Sequence, residues 1–147
     1  MAKTDINVLN NQDKFNFDEE KLKNKASKMM EYLLLSSGII NLSQLKSYNI
    51  QDNIINFDIL ICDDKEIREL NSNYRGIDKP TDVLTFALFA DNQENKIIIN
   101  NTISLGEIMI SSETANKQAE ENNKTLDEEM DFLLSHGILH LLGFDHK

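Results

Sequence analysis

The chain has three histidines in 147 residues, and all fall in its closing string, His136-Gly-Ile-Leu-His140-Leu-Leu-Gly-Phe-Asp-His146. Neutral imidazole offers a nitrogen lone pair at neutral pH, which makes histidine the commonest metal ligand. Residues four apart on a helix share a face, so His136 and His140 can grip one ion. Gly143 offers a turn that returns His146 to the same ion. Three nitrogens leave one tetrahedral position open, as in catalytic rather than structural zinc sites. The spacing therefore predicts a single Zn2+ held by His136, His140 and His146. The plain alternative is a pair of core imidazoles hydrogen-bonded to backbone.

The same ligand and glycine spacing occurs in the metzincin protease pattern H-E-x-x-H-x-x-G-x-x-H. Here Gly137 stands where a protease carries Glu, the general base for water attack on a peptide. The metal geometry is kept and the peptide-cleaving base is missing. A phosphodiester can manage without that base, because zinc lowers the pKa of its bound water towards ~7. The remaining need is charge stabilisation on phosphoryl oxygens, which the planar, always-ionised guanidinium meets well. The chain has two arginines, Arg68 and Arg75, close to Lys65 and Lys79. Arg75 lies at a predicted helix-to-loop junction and is the candidate catalytic cation. Lys79, in the loop, is a candidate substrate contact. A solvated helix face accounts equally well for Lys65 and Arg68.

These residues must be positioned by the elements around them. Residues 5–9 suit a short strand. Asn16 with Glu19 resembles a capping box, and the apolar spacing from Leu22 to Leu34 predicts a helix over about 18–36. Residues 37–52 read as an irregular connection. Alternation from 53 to 62 predicts a strand. Asp63 or Asp64 then caps a helix reaching about Tyr74. Gly76, Asp78 and Pro80 mark a loop. Strands are expected at Val83 to Phe89 and Leu105 to Ser111, with a polar turn at 91–96 and a helix at 112–122. Thr125 and Glu128 form a capping-box signature for the last helix, which turns apolar on all sides from Phe132 and so is expected to be buried. The alternation predicts an α+β fold, a mixed sheet packed with helices, in one domain spanning 1–147.

Composition narrows the function classes. The net charge of −10, from 25 acidic and 15 basic side chains, argues against broad, non-specific nucleic-acid binding but leaves room for a local basic site. Cys62 is the single cysteine, so no internal disulfide forms, and a reducing compartment fits. No signal-peptide core and no apolar run of membrane-spanning length is present. The expectation is a soluble cytoplasmic protein.

The terminal string resembles the HGxLHLxGYDH signature of the YbeY family of bacterial rRNA maturation factors. The segment Leu70-Asn-Ser-Asn-Tyr74-Arg75-Gly-Ile-Asp78-Lys79-Pro80-Thr81-Asp82-Val83-Leu84-Thr85-Phe86 is similar to that family's N-x-x-Y-R-x-x-D-x-P-T-D-V-L-S-F-P. Leu105-Gly106-Glu107-Ile108 is similar to its L-G-D-I element. The matches fall in order over residues 70–146, about half the chain. The resemblance implies a metal-dependent, single-strand-specific endoribonuclease acting in small-subunit rRNA 3′-end maturation and ribosome quality control. It implies zinc on His136, His140 and His146, a functional Arg75, single-stranded rRNA and the ribosome or its small subunit as partners, and an approximately four-stranded mixed sheet with the metal-binding helix central. Phe144, Thr85, Ala87 and Glu107 depart from the family's Tyr, Ser, Pro and Asp. Members continue past the last histidine into a C-terminal helix, which this sequence is expected to lack, leaving His146 next to a fraying end.

Two further readings stand beside the nuclease. One is a non-catalytic ribosome assembly factor with a structural metal, whose fourth ligand would be Cys62 or Asp145. The other is a different metal-dependent hydrolase with a peptide or small-molecule substrate, the peptide version lacking its Glu.

Overall fold

The computed structural model describes residues 3–36, 53–88, 98–99 and 101–144. In chain order the elements are β1 (Lys3–Asn10), α1 (Glu19–Leu35), β2 (Ile54–Cys62), α2 (Asp64–Arg75), β3 (Val83–Ala87), β4 (Ile98–Ile99), β5 (Thr102–Ser111), α3 (Ser112–Glu121) and α4 (Leu126–Leu141). The sheet runs β1-β2-β5-β3, with β4 pairing on β5. β1, β2 and β5 are parallel neighbours, and β3 and β4 lie antiparallel to β5. This is the α+β fold with a mixed sheet that the alternation predicts. The connections 37–52 and 91–96 lie outside the described residues.

Alternation in β2 decides how the layers stack. Ile55, Phe57, Ile59 and Ile61 point to one face and are fully buried beneath α1 and α4. Each such side chain contributes roughly 1.5–3 kcal/mol of burial. The opposite face is apolar only towards the C-terminal end, where Cys62 joins Ile67, Leu84 and Met109 beneath α2. Nearer the start of the strand that face is polar, and Asn7 donates to Asp58 across β1 and β2 at 3.0 Å. The helix α2 therefore covers half a face, and β3, the edge strand beside β5, has α4 on one side and α2 on the other.

The helix α1 opens on Asp18, whose side chain accepts from Lys21 N, and not on the Asn16–Glu19 pair that the spacing suggested. An N-cap must sit next to the first helical residue to reach an orphan N–H, and Glu19 is already that residue. Lys25 bridges to Asp131 at 3.1 Å, tying α1 to α4. Among the described residues, no helix is long and apolar enough to cross a membrane.

β5 is longer than its sequence pattern suggests because a bulge interrupts it. Its register against β2 shifts by one residue between Asn56↔Ser104 and Asp58↔Glu107. The extra residue lies at Leu105–Gly106, and Gly106 has φ 128°. The bulge reverses the face alternation, so Ile103 and Leu105 before it and Ile108 and Ile110 after it all enter the same core. A Cβ on Gly106 would lie 1.9 Å from the Phe86 carbonyl oxygen, in a backbone conformation that other residues rarely adopt. Gly106→Ala is expected to cost at least about 2 kcal/mol, from backbone strain and overlap together. Equilibrium urea unfolding checks this, and a midpoint equal to that of the unsubstituted chain would contradict the close approach.

Candidate functional site

The helix α4 starts from a complete capping box. Thr125 Oγ1 accepts from Glu128 N at 3.1 Å, and Glu128 Oε1 accepts from Thr125 N at 2.9 Å. The bond from Thr125 N, followed by one from the Thr125 side chain, holds the Glu128 carboxyl below its ordinary pKa of 4.5. Met130, Leu133, Leu134, Gly137, Ile138 and Leu141 form the buried stripe. The helix is not buried all round as its composition suggested: Phe132 is exposed, and Ser135, His136, Leu139 and His140 are half-buried. Its histidine-bearing face is the one left partly open.

Gly137, between the two histidines, meets β5 directly. A Cβ there would lie 2.7 Å from Ile108 Cγ2 and 2.9 Å from its Cδ1. The position that carries the base in the protease pattern is thus closed to any side chain in this packing. A carboxylate at 137 would have to enter the core.

Both histidines are braced by neighbours. Thr85 Oγ1 and His140 Nδ1 share a hydrogen bond. A hydroxyl or other polar partner on one ring nitrogen fixes the orientation of an imidazole, so Nε2 is the atom that would face an ion bound by His140. Thr85, which stands where the resembled pattern has Ser, therefore keeps a hydroxyl at that position. His136 packs against Phe132, ring centroids 4.4 Å apart and tilted 47°. Lys124 Nζ lies 4.9 Å from the Phe132 centroid and 3.9 Å from the buried Glu129 Oε1. The cation thus spans the acid and the ring that supports His136.

Arg75 reaches the histidines from the other layer. It is the last residue of α2, which Asp63 caps by accepting from Glu66 N at 2.8 Å and which ends on Gly76 in the left-handed conformation. The following loop is laced back onto α2. Arg68 forks onto Asp78 through Nε and Nη2 at 2.8 and 3.1 Å, and buried Asn71 donates to the Lys79 carbonyl at 3.0 Å. Arg75, Val83, Leu84, Thr85, His136, Gly137 and His140 line one cleft of about 320 Å³. Two imidazoles, a guanidinium and a hydroxyl facing one concavity suit an anionic substrate held beside a metal.

The other site candidates separate. Lys79 is exposed in the loop, and its backbone rather than its side chain makes the described contact. His146 and Asp145 lie outside the described residues. Among the described residues, no group of three or more His, Cys, Asp or Glu side chains could hold a metal. Cys62 is buried in the second core cluster, where burial, and then Glu66, Asp63 and Asp64, push its thiol up to about 12. It lies beneath α2, apart from the residues that line the histidine cleft. Sequence reasoning overlooked Asn71, Asp78 and Phe132 as supports. Asn71 and Asp78 stood inside the segment compared with the family pattern, and Phe132 stands four residues before His136 on the same helix face.

The fold and cleft define an α+β protein with paired histidines, on the partly open face of its last helix, opposed by an arginine. The chain belongs to the YbeY family: the model described as Endoribonuclease YbeY matches residues 7–147. It is 39% identical over 145 residues to the Endoribonuclease YbeY of Caldicellulosiruptor saccharolyticus, covering 96% of this chain and 84% of that one. It is 40% identical over 125 residues to that of Aquifex aeolicus, covering 85% and 70%. The solution structure of a Thermotoga maritima protein is similar, with a TM-score of 0.53 and 27% identity over 97% of this chain and 75% of that one.

The loop clamp titrates in acid. Its hydrogen bond from Arg68, followed by the Arg68 charge, lowers the Asp78 pKa below 3.8. A carboxylate depressed in the folded state contributes stability above its unfolded pKa and loses it as pH falls through the folded one. The Asp78 carboxyl resonance is therefore expected to titrate with a midpoint below 3.8 in the folded chain and to move up in Arg68→Ala. An unchanged midpoint in that variant would show that the pair does not hold the loop.

Proposed function

We propose that the chain is a zinc-dependent endoribonuclease that cleaves single-stranded RNA in small-subunit rRNA 3′-end maturation and ribosome quality control. The observation that carries this reading is the convergence of His136, His140 and Arg75 on one cleft from opposite layers of the sheet. The family's name supplies the substrate class, RNA. His136, His140 and His146 would hold the ion. Bound zinc supplies Lewis-acid stabilisation and activates the attacking water. Thr85 holds His140 in orientation, and Phe132 supports His136. Arg75 binds the scissile phosphate and stabilises the charge that grows on its non-bridging oxygens. With position 137 closed to a carboxylate, peptide cleavage through a protease-type Glu is disfavoured. Cys62, buried beneath α2 and not among the cleft-lining residues, likewise weighs against a four-ligand structural site made through that residue. The chain is read as one catalytic domain working in the cytoplasm, with the ribosome or its small subunit as partner.

His140→Ala is expected to lose zinc and RNA cleavage together. Arg75→Ala should retain zinc while cleavage falls roughly 100-fold or more, the usual cost of losing one preorganised charge-stabilising donor. Metal analysis of both folded variants beside a cleavage assay checks the division of roles. Equal metal loss in the two would contradict it.

Few cations line the cleft, so few phosphates are neutralised. Binding of single-stranded RNA through one or two phosphate contacts should fall with salt at a log–log slope of about −0.7 to −1.4, using ~0.7 per phosphate. Lys79→Ala should flatten the slope if that side chain joins Arg75. A much steeper slope would place the main RNA contact on another surface.

A further inference from the structure

Beside the cleft lies a second cavity, of about 160 Å³, in which Tyr74 and Phe86 meet Arg75 and His140. It shares Arg75, Leu84, Thr85 and His140 with the larger cleft, so the two adjoin along β3. Tyr74 directly precedes Arg75 and is 60% exposed. Its ring rests on Phe86, centroids 5.5 Å apart and tilted 46°. Phe86 in turn packs on that cluster, whose Leu84 and Met109 also line the cavity. The Tyr74 ring is supported from behind and left largely open beside a cation.

We propose that Tyr74, backed by Phe86, is the stacking platform for the base of a nucleotide next to the phosphate held by Arg75. The inference rests on the endoribonuclease reading and adds a base subsite to it. The chemistry matches on both counts: a guanidinium suits a phosphate, and an aromatic face takes any base without reading its edge. Adjacent residues at the end of α2 would thus hold the two halves of one nucleotide. A base on this platform must leave its own stack, which favours flexible single strands over duplex. The subsite should contribute affinity with little sequence preference, because every base has a π-face.

The test walks a single abasic nucleotide through a short single-stranded RNA and measures kcat/KM with the zinc-loaded full chain. The unsubstituted chain is expected to lose about tenfold (~1.4 kcal/mol) at one position adjoining the cleavage site. Tyr74→Ala should lose about as much on the intact RNA and then be insensitive to the abasic nucleotide at that position. Tyr74→Phe should recover what Tyr74→Ala loses, and Tyr74→Leu should not, since it is apolar without a π-face. Arg75→Ala should cleave more slowly yet keep the positional sensitivity. Persistence of that sensitivity in Tyr74→Ala, or full recovery by Leu, would overturn the subsite and leave the nuclease standing. Failure of the unsubstituted, zinc-loaded chain to cleave any single-stranded RNA would instead overturn the nuclease reading, and the subsite with it.

Discussion

The contact on which the site depends is the bare approach of α4 to β5 at Gly137. Without a Cβ, the helix backbone settles against Ile108, whose branched side chain leaves no room for anything larger. Ile108 is also the register partner of Thr85 on β3. Thr85 in turn bonds His140, three residues along α4 from Gly137. Helix, inner strand and edge strand therefore close a small circuit. Its dimensions fix how deep the histidine-bearing face of α4 sits against the sheet. A larger residue at 137 would lift the helix and break the Thr85 contact together with the packing.

The second arm of the site comes from the opposite layer. The helix α2 covers only the C-terminal half of its sheet face, so its own C-terminus stops beside β3 rather than over the middle of the sheet. There the Arg68–Asp78 fork and the Asn71–Lys79 bond hold the chain that leaves Arg75. An exposed ion pair of this kind adds little to global stability. Its effect is local: it restricts the loop that leads from Arg75 into β3. The edge strand then presents Thr85 towards α4 and Leu84 and Phe86 towards α2, because successive side chains alternate. One five-residue strand joins the histidine-bearing and arginine-bearing elements.

Charge distribution fits this arrangement. A net charge of −10 argues against broad, non-specific binding of a polyanion. Recognition must then rest on a few placed groups, and Arg75 is a cation on the cleft wall. The fork on Asp78 engages Arg68, the other arginine of the chain, which leaves that residue a structural task.

Much of the architecture was legible in the chain. The strand at 54–62 and the helices at 64–75, 112–121 and 126–141 follow from local periodicity and caps, which depend on neighbours within one or two turns. The Thr125–Glu128 box formed as its spacing implied, and Gly143 turns the chain with φ 98°. The i, i+4 histidines line one cleft because helix geometry alone puts them there. Three features needed the tertiary structure. The first half of β5 was hidden because the Gly106 bulge reverses its alternation, and a bulge exists only against partner strands. The half-open face of α4 could not be read from apolar composition, since exposure depends on what the neighbouring layers leave uncovered. The meeting of Arg75, Thr85 and His140 comes from strand order: β3 is far from α4 in sequence and lies under it only because it pairs on β5. Residue type and spacing named the chemistry locally, whereas long-range pairing decided which of those groups share a cavity.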